Sequence, residues 1–427
     1  MLPSARRIGS LVEWSGVQPG LPTLEVPLPN VAPRIRELPQ LLEAVDKIRP
    51  VVEAGANESE KLRRLPDATA KALHEAGLFH MLLPREMGGL EADPVSQSEV
   101  IERLAYIDGS AAWCAFIGAG STGFVAAQLP DAGIQDVLAR SGGEWPVFAG
   151  SPATGGTAER VPGGYRITGR WAWASGIGHA SWVQAGFMVM EKGEPARGEN
   201  GLPRMLAAVI PVADLTVEDS WHTMGLRGTG SAHFSSPGIT IPEHRTFPFL
   251  NPLARRGGVL FQLPVLGFFG PAFSGFFQGL GRRALDDITR IAQTKTRIMA
   301  GTRIAERGVF QRDLALADGK LRAARLLLHH ELAALWQRLH DGRPPSELES
   351  NRVLFAFTHN AQAGVEAADM AFRYGGGEAL FLESPLQRIK RDIEGGAQHI
   401  LVGEHNFELL GKAMLGVTGA TPAIGPR

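Results

Sequence analysis

The chain has 427 residues, 44% of them hydrophobic and 20% charged, with 52 glycines and 29 prolines. That length accommodates two or three domains with several buried cores, and the ordinary hydrophobic content excludes wholesale disorder. With 43 basic against 44 acidic residues, a nucleic-acid or acidic-membrane binder held by bulk charge is excluded.

Residues 1–37 read as an extended, proline-punctuated arm, either a disordered tail or a strap over a neighbouring subunit. No apolar run follows Arg6 and Arg7, so this is not a signal peptide. Cys114 is the only cysteine, which rules out an intramolecular disulfide and a cysteine zinc site and fits a cytoplasmic protein.

Residues 38–143 read as an N-terminal helical domain. Leu65-Pro66-Asp67 opens a helix that runs to Gly77, a second spans Pro94 to Tyr106, and a third starts at Ser110. Leu83-Pro84 and Gly88-Gly89 mark turns between them. Residues 144–250 change texture to short apolar runs between Gly and Pro clusters: Val147–Ala149, Tyr165–Thr168, Trp182–Met190 and Leu206–Ile210. That pattern predicts a middle β domain, with Glu191–Arg204 as a polar loop between strands. Residues 251–427 become helical again. Leu314, Leu321, Leu328 and Leu335 recur every seven residues with Ala317 and Ala324 between them, as on a long bundle helix. Asp341 to Pro345 stops it, and a second long helix spans Ser346 to Arg373 before Gly375-Gly376-Gly377. Gly257 to Gly281 carries no charge, but Pro264, Pro271 and its glycines make a poor membrane span, so it reads as a buried, aromatic-rich wall. The fold class is therefore α+β.

Several motifs are missing. Glu-x-x-His, His-Glu-x-x-His, a P-loop Gly-Lys-Ser/Thr and Gly-x-Ser-x-Gly do not occur, which counts against a di-iron bundle, a zinc protease, a Walker ATPase and an α/β hydrolase. Gly118 to Gly123 matches Gly-x-Gly-x-x-Gly. It lies in a helical context, so small residues on a helix facing a pocket explain it better than a dinucleotide cradle. Gly279 to Ala284 is read in the same way. His329-His330 reads as a solvated helix face.

Four features carry chemistry. Trp171-Ala172-Trp173-Ala174-Ser175-Gly176 fits two readings: a tryptophan and a hydroxyl covering a flat aromatic cofactor, or a sheet tryptophan pair followed by a turn. Trp221 to Ser231 combines glycines with Thr and Ser hydroxyls, as a ligand cradle or as a glycine-rich connection. His399, close in sequence to Arg391-Asp392, is either a tuned proton donor or structural. Six of the 20 phenylalanines fall between Phe261 and Phe277, as bundle core or as an apolar substrate pocket.

Together these blocks resemble the acyl-CoA dehydrogenase superfamily over nearly the whole chain after residue 38. The matching landmarks are Leu83-Pro84 with Gly88-Gly89, Asp108-Gly109-Ser110 with Trp113, the Trp173–Gly176 and Gly225–Ser231 blocks, and Pro385-Leu386-Gln387-Arg388 before Arg391-Asp392. The resemblance implies an N-terminal helical domain, a middle β-barrel domain, a C-terminal four-helix bundle and a homotetramer. The Glu-Gly-Thr that many acyl-CoA dehydrogenases carry after Arg-Asp is missing, and His399 lies near that place. This looks like the oxygenase components of two-component flavin monooxygenases.

The resemblance further implies reduced FMN or FAD supplied by a separate reductase, oxygen addition at the flavin C4a carbon to give a hydroperoxide, and oxygenation of an apolar or aromatic small molecule. Ser175 would bond near flavin N5 and His399 would sit beside the adduct. Trp173, Gly176, Thr229, Gly230 and Ser231 would hold the flavin, and Gly375 and Gly376 would lie near a neighbouring subunit's flavin. Trp113, Ser121, Ser151, Phe268 and Phe273 are the candidate pocket residues. The second histidine that phenol hydroxylases of this branch use is absent from Phe116–Phe124, which points to a substrate that needs no deprotonation. Two other readings stay open: a dehydrogenase or oxidase with Glu378, Glu383 or Glu394 as base, and a catalytically silent binding protein.

Overall fold

The computed structural model describes residues 35–417 apart from 199–200, 250–253, 298 and 300, with the backbone alone at 151–153 and 297. Most of the expected N-terminal arm and the position of the Ser151 side chain therefore lie outside the described residues.

Five helices come first: α1 (Leu38–Leu62), α2 (Asp67–Glu75), α3 (Pro94–Ala105), α4 (Gly109–Gln128) and α5 (Asp131–Arg140). Local chemistry sets their starts. Asp93 caps α3 by accepting the Ser96 N–H ahead of Pro94, and Asp108 caps α4 by accepting the Ala111 N–H at 2.8 Å. Helix α4 is apolar and long enough to cross a membrane, but 94% of its apolar window is buried inside the protein. Its Gly-x-Gly-x-x-Gly stretch is helical, as expected. A Cβ on Gly118 would meet the Phe79 ring, one on Gly120 the Phe269 ring, and one on Gly123 the Leu82 carbonyl oxygen at 2.3 Å. Those glycines let α4 lie against its neighbours. Gly275 and Gly279 do the same for the packing against α3.

The strands are β1 (Phe148–Val161), β2 (Gly164–Ala174), β3 (Trp182–Glu191), β4 (Glu194–Pro195), β5 (Met205–Pro211), β6 (Thr216–Val217), β7 (Ala232–Pro242) and β8 (Thr246–Pro248). They pair in the order β6-β7-β2-β1-β3-β5-β8, with β4 on β3. Only β1–β3 is parallel. Together they form the middle β domain expected between the two helical parts, as one continuous sheet in which, among the described residues, no ladder joins β6 to β8. Its core includes Tyr165, Trp171, Phe187 and Phe234, and the Trp171 and Phe234 rings stack at 5.1 Å.

Helices α6 (Val265–Thr294), α7 (Gly308–His340), α8 (Glu347–Gly375), α9 (Pro385–Ala397) and α10 (His405–Leu415) follow. The heptad reading of α7 holds from Ala317 onward: Ala317, Leu321, Ala324, Leu328 and Leu335 are buried, while Leu314 is half-buried. His329, expected to be solvated, is instead buried, with Nδ1 3.8 Å from Glu99 on α3. Position 329 follows Leu328 on the inward side of α7, so only His330 reaches solvent. The uncharged stretch up to Gly281 forms the start of α6, where Phe268, Phe273, Phe276 and Phe277 are fully buried.

Candidate active site

Strand β2 carries the tryptophan block. Period-two alternation would put Trp171 and Trp173 on one face. Trp171 is core, but Trp173 has φ +63° and is 66% exposed. The register of β2 against β7 shifts between Trp171 and Ala174. Positive φ in a bulky residue is a strained conformation. Here it ends the alternation, turns the Trp173 ring outward and leaves Ser175 as a buried hydroxyl beyond the strand. Gly176, at φ +77°, then donates its N–H to the Thr229 carbonyl at 2.9 Å. The two glycine-bearing blocks of the sequence meet there.

Their side chains form a line of hydrogen bonds. Trp113 Nε1 on α4 donates to Ser175 Oγ at 2.9 Å. Ser175 Oγ lies 2.7 Å from Ser231 Oγ, and Ser231 Oγ lies 2.6 Å from Thr229 Oγ1. Thr229 Oγ1 donates to the Leu226 carbonyl at 2.8 Å. Trp113, Ser175, Thr229 and Ser231 are all buried.

Trp113 also meets four rings. Phe116, Phe273 and Phe276 pack against it edge-on at 5.1, 5.4 and 5.3 Å between centroids, and His399 does so at 6.1 Å. His399 also lies 4.9 Å from Phe273. Its Nδ1 accepts the Leu401 N–H at 3.2 Å, which leaves Nε2 to carry the proton of the neutral ring. Burial among these rings lowers its pKa to about 4, so near neutral pH His399 is an uncharged donor. The site thus joins an apolar aromatic wall, a neutral imidazole N–H and a buried hydroxyl line. All three meet at Trp113.

The acyl-CoA dehydrogenase N-terminal domain model matches residues 40–135, and the C-terminal domain model matches residues 272–404. An indole-3-acetate monooxygenase of Pseudomonas putida is 30% identical over 370 residues, covering 85% of this chain and 90% of that protein. The oxygenase subunit HsaA of a flavin-dependent monooxygenase from Mycobacterium tuberculosis (strain H37Rv) is 29% identical over 405 residues, covering 88% of this chain and 97% of that one. The chain belongs to the acyl-CoA dehydrogenase family, in its flavin-dependent monooxygenase branch. Among solved structures, XiaF from Streptomyces sp., in complex with FADH2 and glycerol, matches this monooxygenase with a TM-score of 0.82. Its identity is 28%, and the match covers 90% of this chain and 97% of that one.

The monooxygenase brings together most, but not all, of the residues expected at the site. Ser121, further along α4, is buried, and Gln184 Nε2 on β3 donates to its hydroxyl at 3.4 Å. Gln184 itself carried no sequence signal, because a glutamine in a strand is ordinary. Phe268 packs with Phe124, Phe261 and Phe269, a group with no ring contact to Trp113. Helical geometry separates it from Phe273, since five residues turn a helix well off one face. Gly230, at φ +53°, lies against the Arg63 carbonyl. Gly375 lines a separate cavity of about 390 Å³ with Ile291, Glu378 and Leu386, and its carbonyl takes a 2.9 Å bond from Lys295 Nζ. Glu378 pairs with Lys295 at 2.8 Å and Glu394 with Lys390, so each of these carboxylates already has a cation.

Sequence reasoning missed the carboxylate beneath the site. Asp392 on α9 is buried, accepts the Leu226 N–H at 2.6 Å and faces Gly109 at the start of α4. The only signal was its place in the Arg391-Asp392 landmark.

Proposed function

We propose that this chain is the oxygenase component of a two-component system. It takes reduced FMN or FAD from a separate reductase and transfers one atom of dioxygen to an apolar, aromatic small molecule. The observation that carries this reading is Trp113, which donates to the Ser175 hydroxyl and packs edge-on against Phe273 and His399.

The residues fit a reduced flavin. Trp173 offers an exposed indole face for a flat ring beside Ser175. When bound, reduced flavin supplies the electrons that activate dioxygen. Ser175 would hold the ring at its N5 edge. Thr229, Gly230 and Ser231 hold Ser175 and Gly176 in place from behind. His399 offers its Nε2–H as a fixed donor to oxygen. Trp113, Phe116, Phe273 and Phe276 exclude water from that place.

Phe116 to Phe124 supplies no base, so the substrate class is a ring already rich in electrons, such as an indole, or a soft sulfur or amine centre. Ser121 and Gln184 would fix its orientation, and Ser151 stands as a further contact. The chain acts as a tetramer in which Gly375 and Gly376 lie beside a neighbouring subunit's flavin. Leu380, Phe381 and Leu382, each at least 65% exposed, support a subunit contact there.

The test is to load the protein anaerobically with reduced FMN or FAD, mix it with oxygenated buffer and follow absorbance rapidly. A transient distinct from both reduced and oxidised flavin is expected. Tightly retained oxidised FAD without a transient would point to a dehydrogenase instead.

A further inference from the structure

The line of hydrogen bonds from Trp113 to Leu226 has a direction, and its two ends fix it. An indole Nε1–H can only donate, and a carbonyl oxygen can only accept. Trp113 therefore donates to Ser175 Oγ at 2.9 Å, and Thr229 spends its one hydroxyl proton on the Leu226 carbonyl at 2.8 Å. Thr229 has no proton left for Ser231, so Ser231 must donate to Thr229 across their 2.6 Å contact. Ser231 then has none left for Ser175, so Ser175 must donate to Ser231 across 2.7 Å. The order of protons is unique: Trp113 to Ser175 to Ser231 to Thr229 to Leu226.

The receiving end is held firmly. The Leu226 carbonyl also takes the Trp221 Nε1–H at 2.9 Å and the Thr229 backbone N–H at 3.1 Å, so three donors converge on it. Leu226 is in the left-handed region at φ +54°, and its own N–H is tied to Asp392. With both neighbours fixed, Ser175 has spent its proton and one lone pair. What remains is a single lone pair, and a ligand group opposite Ser175 must bring the hydrogen.

We infer that Ser231 and Thr229 are specificity-determining positioning residues, which make Ser175 an obligate acceptor so that the site takes a flavin carrying hydrogen at N5 in preference to one with a bare N5. This rests on the reading of Ser175 as the neighbour of flavin N5. Reduced flavin has an N5–H to give. Oxidised flavin presents a lone pair there, which would face the Ser175 lone pair with no proton between them. The hydroxyl line thus distinguishes the cofactor that a reductase delivers from the one the reaction leaves behind, and favours release of the latter.

The experiment is to measure dissociation constants for reduced flavin, by anaerobic titration, and for oxidised flavin, by calorimetry. The proteins are wild type, Ser231→Ala, Thr229→Val and Thr229→Ser. Each of the first two variants breaks the line and frees a proton, so that Ser175 can donate to a bare N5. The wild-type preference for reduced flavin is expected to shrink about tenfold in both, mainly through tighter binding of oxidised flavin, which corresponds to roughly one hydrogen bond. Thr229→Ser keeps the hydroxyl and is expected to keep the wild-type ratio. An unchanged ratio in both Ser231→Ala and Thr229→Val overturns the inference, as does a wild type that binds both redox forms equally while still using reduced flavin. A wild type that binds neither form overturns the proposed function itself.

Discussion

The backbone N–H of Leu226 donates to Asp392 Oδ1 at 2.6 Å, joining residues 166 apart in sequence. This bond secures a strained residue. Leu226 sits at φ +54°, a conformation that leucine rarely adopts without outside support. Arg391, next to Asp392, donates to the Met224 carbonyl and pairs with Glu60 at 2.7 Å. Helix α9 therefore clamps the segment from which the hydroxyl line hangs, and a Cβ on Gly225 could not pass the Arg391 carbonyl.

Burial, and then the nearby carboxylates Glu60 and Asp108, push the Asp392 carboxyl up to about 7, against the opposing effect of the Leu226 N–H. A carboxyl raised in the folded state gives its full stability below its unfolded value, about 3.9. It loses that contribution as pH climbs to its folded value. Asp392→Asn keeps an acceptor for Leu226 and cannot ionise. Relative to wild type it should therefore gain stability between pH ~4 and ~7 and no further above that, by roughly 1–3 kcal/mol in total. Urea unfolding at pH 5 and pH 8 checks this. The same difference at both pH values would show that Asp392 does not titrate in that window.

His399 leads to a different pH expectation. Its pKa is lowered to about 4 by burial alone, so the ring stays neutral from pH 5.5 to 8.5 and contributes no step to the activity profile in that range. Removing it should act on coupling. His399→Ala should release most consumed oxygen as peroxide, with product per oxygen falling on the order of tenfold or more, the usual scale for loss of one preorganised donor. Oxygen-electrode traces with and without catalase, beside product quantitation, measure this. Wild-type coupling in the variant would remove His399 from the mechanism.

How far the sequence was legible depended on whether the signal was local. Helix α7 could be read because its leucines repeat every seven residues, and α3 because Pro94 starts it. The glycines of α4 were legible as helical, because a dinucleotide cradle needs a preceding strand, but they read as facing a pocket, and only the packing shows that they face Phe79, Phe269 and Leu82. By contrast, β7 was missed, since its run from Ala232 to Pro242 is broken by serines, a proline and a glycine. At the site, Ser175, Thr229, Ser231 and His399 stood out because their motifs are short and contiguous. The bonds between them, and the carboxylate under Leu226, join residues far apart in the chain. No local pattern encodes which hydroxyl faces which. For the same reason His329 was misread: only packing against α3 reveals that its side of α7 is covered.

Two glycines on long helices should respond in opposite ways to the same change. A Cβ on Gly123 would lie 2.3 Å from the Leu82 carbonyl oxygen, and that backbone cannot move without shifting the turn that carries it. Gly123→Ala is expected to cost roughly 2–4 kcal/mol through overpacking. Gly319 on α7 is exposed with nothing within 4 Å of an added Cβ. Gly319→Ala is expected to stabilise by about 0.5–1 kcal/mol through helix propensity. Chemical denaturation of both variants decides the matter. A neutral Gly123→Ala would mean that α4 does not approach Leu82 as closely as described.

Phe268 and Phe273 separate packing from pocket. Both are buried phenylalanines on α6, so truncation of either to alanine should cost a similar roughly 3–5 kcal/mol. Their surroundings differ. Phe273 lies 4.9 Å from His399 and 5.4 Å from Trp113, whereas Phe268 meets Phe124, Phe261 and Phe269. Phe273→Leu, which keeps most of the volume, should still alter substrate KM and raise peroxide leakage, because the wall beside the imidazole changes shape. Phe268→Leu should leave both within about twofold while losing comparable stability. The comparison holds stability loss nearly constant and varies only proximity to His399, so equal effects on coupling would show that the wall lies elsewhere along α6.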